Sequence, residues 1–182
     1  QSLIKLEVMP DTLGRMTSLE SLTIHYCTKL KTVPASIGQL GALKQLTLQS
    51  LIKLEEMPDT LGRMTSLQSF TIAYCPKLKT VPASIGQVGT LKQLTLRSLN
   101  KLEAMPDTLG RMKSLESLTI AYCCELKAVP ASIGQLGTLK QLTLQGLDNL
   151  EEMPDTLGSL TALERLTIAD CPKLKTVPAS IG

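Results

Sequence analysis

Apolar residues recur along this chain in runs of the form L-x-x-L-x-L-x-x-C/L-x-x-L. One run is Leu19, Leu22, Ile24, Cys27 and Leu30; the next, 24 residues on, is Leu43, Leu46, Leu48, Leu51 and Leu54. Around Leu22 and Ile24 the alternation has a period of two, the mark of a short strand with one buried face. The intervening Thr23 then points outward. The same alternation centres on Thr47, Thr71, Thr95, Thr119, Thr143 and Thr167, which predicts seven strands in one parallel sheet. Beyond each strand a proline (Pro10, Pro34) and a glycine (Gly14, Gly38) bracket a short irregular or helical return segment. Proline suits a first helical turn, where no amide hydrogen bond is lost. A single unit buries one wedge of aliphatic side chains and cannot close a core, so stacking must supply the partner.

The repeat has a second level. MPDTLG begins at Met9, Met57, Met105 and Met153, and VPASIG at Val33, Val81, Val129 and Val177, each series spaced by 48 residues and the two offset by 24. Two units therefore alternate, here called A (with Cys27) and B (with Leu51). Residues 1–182 read as a single array. Gln1 falls inside a unit, so the chain reads as a fragment. Neither terminus carries a polar capping unit, which predicts self-association through the ends, as a closed dimer or a head-to-tail stack.

Composition agrees with many small identical packing sites. Hydrophobic residues make up 43% of the chain but aromatics only 2%, and tryptophan is absent, so Leu, Ile, Val and Met must fill the core. The formal net charge of +3 is too small to indicate nucleic acid or a membrane surface. No apolar run is long enough to span a bilayer. The charges also repeat. One row reads Glu7, Lys31, Glu55, Lys79, Glu103, Lys127, Glu151, Lys175; a second reads Glu20, Lys44, Gln68, Lys92, Glu116, Lys140, Glu164. Opposite charges at adjacent positions contribute roughly 0.2–1 kcal/mol per pair and penalise a one-unit slip. We read them as register control, against the simpler reading of a solvated charged surface. Local neutralisation also argues against a basic stripe for nucleic acid.

Candidate chemistry is sparse. Cys27, Cys75, Cys123 and Cys171 fall two units apart, about 10 Å between neighbours at strand spacing, too far for a disulfide or for sharing one zinc ion. They read as small buried thiols filling the turn. Cys124 replaces Thr28, Pro76 and Pro172 and is expected to be exposed. Free thiols, with neither Asn100 nor Asn149 in a glycosylation motif, favour a reducing, cytoplasmic setting. The single histidine, His25, lies about four units from Cys123 and Cys124, roughly 19 Å at strand spacing. Asp11, Asp59, Asp107 and Asp155 follow the proline of a return turn, where an acid favours a helix-like first turn. The glycines of TLGRM and SIGQL are structural punctuation, with no phosphate loop among them. The expectation is a non-enzymatic protein with no cofactor and no metal.

SLESLTIHYCTKLKTVPASIGQL (18–40) and ADCPKLKTVPASIG (169–182) resemble the leucine-rich-repeat family. Within it they are similar to the sensor repeats of plant intracellular nucleotide-binding disease-resistance proteins. The resemblance covers essentially the whole chain. It implies an α/β leucine-rich-repeat solenoid, a curved right-handed coil with the parallel sheet on its concave face and loops or short 3-10 turns on its convex side. It also implies a protein partner on the concave face. Tyr and Arg are the residue types most enriched in binding hot spots, so the candidate contacts are His25, Tyr26, Tyr74, Arg97, Tyr122 and Arg165. Against this stands the reading that the tyrosines merely pack over the turn. Two features depart from the family. Leu51, Leu99 and Leu147 stand where it usually has Asn or Cys, so the turn amides there must be satisfied differently. The uniformity is also unusual: Met9–Glu56 and Met57–Ala104 share 39 of 48 positions. Recent duplication and consensus-style engineering both account for that. The two functional readings are therefore a binding module of plant immune-receptor sensor type, and an engineered or structural scaffold without an evolved ligand.

Overall fold

The structure is a computed structural model that describes residues 5–181. The expectation about the chain ends rests partly on residues 1–4 and 182, which lie outside the described residues. Seven strands form one sheet in sequence order: β1 Ser21–His25, β2 Gln45–Gln49, β3 Ser69–Ala73, β4 Gln93–Arg97, β5 Ser117–Ala121, β6 Gln141–Gln145 and β7 Arg165–Ala169. All six pairings are parallel, and each places threonine beside threonine, as Thr23 beside Thr47. The predicted strands are thus present at their predicted centres. Their leucines and isoleucines point inward; Leu48, Ile72, Leu96, Ile120 and Leu144 are fully buried, as is Phe70. Interior units supply each other's missing wall. Leu163, Leu166 and Ile168 in the last described unit are only partly buried.

The return segments are single 3-10 turns, such as Ala35–Gln39 and Asp59–Arg63. Proline stands one residue ahead of each, in extended conformation (Pro34 φ −66°, ψ 148°), and its carbonyl accepts the first turn bond from Ile37 N–H at 3.0 Å. The sequence reading placed proline inside the first turn. Its fixed φ serves equally well just before it. Successive turns pack so closely that a Cβ on Gly38 would overlap the carbonyl oxygen of Thr60, and one on Gly14 would lie 2.7 Å from that of Ser36. Glycine is required there for the approach of two backbones.

The 48-residue period shows in the junctions, which are held largely by different bonds, although in the last A unit Ser180 Oγ also donates to Asp155 O of the B turn before it at 2.8 Å. Where B follows A, the threonine of the B turn donates to the A turn, Thr60 Oγ1 to Ala35 O at 2.7 Å and Thr108 Oγ1 to Ala83 O at 2.6 Å. Isolated parallel bridges join the same units, Thr32 to Glu56 and Thr80 to Ala104. Lys44 pairs with Glu20 at 2.8 Å and Lys140 with Glu116 at 3.1 Å, as the second charge row predicts. Where A follows B, the ion pairs are Lys29–Glu7 at 3.3 Å and Lys77–Glu55 at 3.7 Å. This corrects the first charge row, which matched Glu7 with Lys31 and Glu55 with Lys79. Leu30 N–H and Leu78 N–H close a turn onto Cys27 O and Cys75 O, and that turn carries Lys29 and Lys77 over the preceding unit's glutamate. These exposed pairs each contribute only about 0.2–1 kcal/mol; their alternation, repeated along the stack, resists a slip.

Candidate partner-binding edge

The residue after every strand has positive φ: Tyr26, Ser50, Tyr74, Ser98, Tyr122 and Asp170 at 54–56°, and Gly146 at 61°. For a residue with a Cβ this left-handed conformation costs roughly 1–2 kcal/mol. Two things hold it there. The amide extends the sheet by one bond, Tyr74 N–H to Arg97 O at 2.9 Å and Ser98 N–H to Ala121 O at 2.8 Å. The reversal also drives the next residue, Leu51 or Cys75, into the core, where both are fully buried.

The cysteines answer the question raised by the leucine units. Cys75 receives a hydrogen bond from the Leu51 amide of the preceding unit, and Cys123 one from Leu99. In turn Cys75 Sγ donates to Ala73 O at 3.5 Å, and Cys171 Sγ to Ala169 O at 3.3 Å. One thiol thus serves the turn of its own A unit and the turn of the B unit before it. Burial pushes the Cys75 and Cys123 thiols up to about 11, only partly offset by those amides. They are neutral donors and poor nucleophiles. Cys124, expected to be exposed, is half-buried. Burial and then the neighbouring Asp148 carboxylate raise its pKa, so it too favours the thiol. All five cysteines are unbridged, and no cluster of metal-ligating side chains occurs among the described residues.

The tyrosines line the strand-end edge of the sheet, with relative exposures of 52% at Tyr26, 45% at Tyr74 and 38% at Tyr122. The low value at Tyr122 has identifiable causes. The Arg97 guanidinium stacks over the Tyr122 ring, 4.9 Å from its centroid. On the other side Gly146 makes room: a Cβ there would lie 2.6 Å from Tyr122 Cδ1. Ser50 and Ser98 occupy the equivalent places beside Tyr26 and Tyr74 and do carry a Cβ. Ala73 and Ala121, next to Tyr74 and Tyr122, are recessed below Arg97, which is exposed. Past Gly146, Gln145 donates to Asp170 Oδ2 at 3.2 Å.

Of the six predicted contacts, the structure brings together Arg97 with Tyr122, and His25 with Tyr26, whose rings meet edge-on at 5.4 Å. Neither of these ring contacts involves Tyr74, midway along the edge. Arg165 does not join them, because it begins β7 and lies at the opposite edge of the sheet. Sequence reasoning missed Gly146, Ala73 and Ala121, which act by being small. The available signal was comparison of the copies. Several exposed turn-face rows repeat unchanged, as Ala35, Ala83, Ala131 and Ala179, or Asp11, Asp59, Asp107 and Asp155, although Ser159 replaces Arg15, Arg63 and Arg111. The edge differs instead: His25 against Ala73, Gln49 against Arg97, Ser98 against Gly146, Tyr122 against Asp170.

No helix among the described residues is long and apolar enough to cross a membrane. No family model matches the chain, and no curated protein matches it significantly in sequence. Solved structures do match. The leucine-rich repeat domain of the type III effector XopL aligns over 95% of this chain and 68% of its own, at 24% identity and a TM-score of 0.76. A leucine-rich-repeat protein of Leptospira interrogans aligns over 99% of this chain, at 24% identity and a TM-score of 0.62. This chain spans 56% of that protein's length. Strand order, 3-10 turns and these matches together make the fold a leucine-rich-repeat solenoid.

Proposed function

We propose that this chain is a non-enzymatic protein-binding scaffold of the sensor type, and that its partner meets the strand-end edge of the sheet. The observation that carries the reading is where the copies differ. The exposed turn-face alanines and aspartates repeat unchanged while His25, Arg97 and Asp170 break the repeat at the edge, so exposure alone does not explain the variation there. That edge also holds aromatic rings and an arginine in fixed positions, the residue types that dominate binding energetics. Resemblance to plant disease-resistance sensor repeats favours surveillance of another protein as the form this binding takes. The alternative, a scaffold without an evolved ligand, draws support from the unvarying threonine row, which offers a partner only small hydroxyls.

Panning a displayed peptide library on the immobilised chain tests the reading. The enriched clones are then measured on a Tyr74→Ser, Arg97→Gln double variant, which imports residues already present in sister units. Clones that lose most of their binding to the variant support the edge. Clones that bind both proteins equally, or a library that yields no reproducible clone, would sink it.

A further inference from the structure

The chain's tyrosines, Tyr26, Tyr74 and Tyr122, stand on one edge at every second strand, separated by Ser50 and Ser98. Strands lie about 4.8 Å apart, so successive rings are offset by about 9.6 Å along the array. The edge is therefore a ladder of aromatic rungs, with Ser50 between the first two and Ser98 and the Arg97 guanidinium between the last two. Its spacing discriminates among the shapes a polypeptide ligand can take. A β-strand presents the same face every two residues, about 6.6 Å, or every four, about 13 Å, and fits neither interval. Two turns of α-helix advance about 10.8 Å and drift out of step by more than an ångström per rung. A polyproline II helix advances about 9.3 Å per three-residue turn and stays within a few tenths of an ångström. Its flat pyrrolidine rings also pack well between aromatic side chains.

Charge adds a second requirement. Arg97 is exposed, and no carboxylate pairs with it among the described residues. Its guanidinium lies over the Tyr122 ring, 4.9 Å from the centroid, a contact that restrains it without using its N–H donors. Building on the edge-binding reading above, we propose that the ladder binds a proline-rich segment in polyproline II conformation. Its prolines recur every third residue, and an acidic side chain meets Arg97.

The chain is its own reporter, since it has no tryptophan and all three tyrosines lie on this edge. The probe is a blocked peptide of about eight residues, long enough for two intervals at 3.1 Å per residue. It consists of prolines with one aspartate and contains no Tyr or Trp. The expected result is a saturable change in tyrosine emission. The affinity should be at least about ten-fold above that for a Gly/Ser peptide carrying the same aspartate, a gap of roughly 1.4 kcal/mol. Tyr74→Ser should weaken it about ten-fold, as loss of a central aromatic contact does. Arg97→Gln should weaken the aspartate peptide several-fold and leave an all-proline peptide unchanged, with circular dichroism confirming that both variants fold. Equal binding of the Gly/Ser peptide, no saturation up to millimolar probe, or indifference to Tyr74→Ser would each overturn the proposal. Panned clones that lack spaced prolines yet still need Tyr74 would end this proposal and leave the edge reading standing. Clones indifferent to both substitutions would end both.

Discussion

The turn face and the strand-end edge both meet solvent, yet the copies agree at most positions of the first and break the repeat at several of the second. On the turn face each glycine inside a 3-10 turn lies against the next unit's carbonyl, and each Thr60-type hydroxyl bonds the turn before it. A change there is felt by two units at once. At the edge the backbone is held by sheet bonds and by the buried residue that follows, so side chains can vary without disturbing the stack. Invariance at the turn glycines therefore reports steric closeness, and variation at the edge reports freedom to change without disturbing the stack.

The contrast is sharpest at two neighbouring glycines. A Cβ on Gly86 would overlap the carbonyl of Thr108, whereas one on Gly89 would meet nothing within 4 Å. Gly86→Ala is expected to cost about 3 kcal/mol, at the upper end for forced overpacking, and Gly89→Ala less than about 0.5 kcal/mol. Urea midpoints of the two variants check this; similar values would mean that the turns can spread apart.

The inner side of the edge gives a pH test. Cys75 and Cys123 are pushed up to about 11 in the folded chain by burial, while an unfolded thiol titrates near 8.5. Below that pH both states hold the proton and stability is unaffected. Between about 8.5 and 11 the unfolded state loses protons that the folded state keeps, so stability falls with rising pH. The urea midpoint should be flat from neutrality to about pH 8, then decline. A double Cys75→Ala, Cys123→Ala variant should lack the part of that decline due to these two thiols, leaving the smaller part due to Cys27 and Cys124.

The smallest effect is at the edge itself. Ser98→Gly relieves the left-handed strain at φ 54° but adds unfolded-state entropy. The two nearly offset, leaving a gain of about 0.5 kcal/mol. A marked loss in thermal melting would show that the serine side chain contributes something beyond its backbone.

Much of this was legible in the residues. Period-two alternation around Thr23 and its equivalents set the strands, and the matched Cys27 and Leu51 positions set the two unit types. The left-handed row was not legible, because Tyr26 and Ser50 are ordinary residues whose conformation is imposed by the core position after them. Only Gly146 hinted at it. One charge row was misread because sequence rows give backbone neighbours, while a lysine two residues away on a turn reaches the same glutamate. The binding candidates stand out in the sequence by residue type alone. The recesses that position them come from alanine and glycine, which carry no such signal.

The alternating junction bonds also constrain how such an array can change in length. Deleting the single unit between β5 and β7 would set Glu116 against Glu164 and bring Cys171 next to Cys123 instead of Leu147. Deleting or inserting a whole pair leaves every junction as it was. Recombination between copies is therefore tolerated in blocks of 48 residues and penalised in blocks of 24, so descent would preserve an even step even where no ligand demands it.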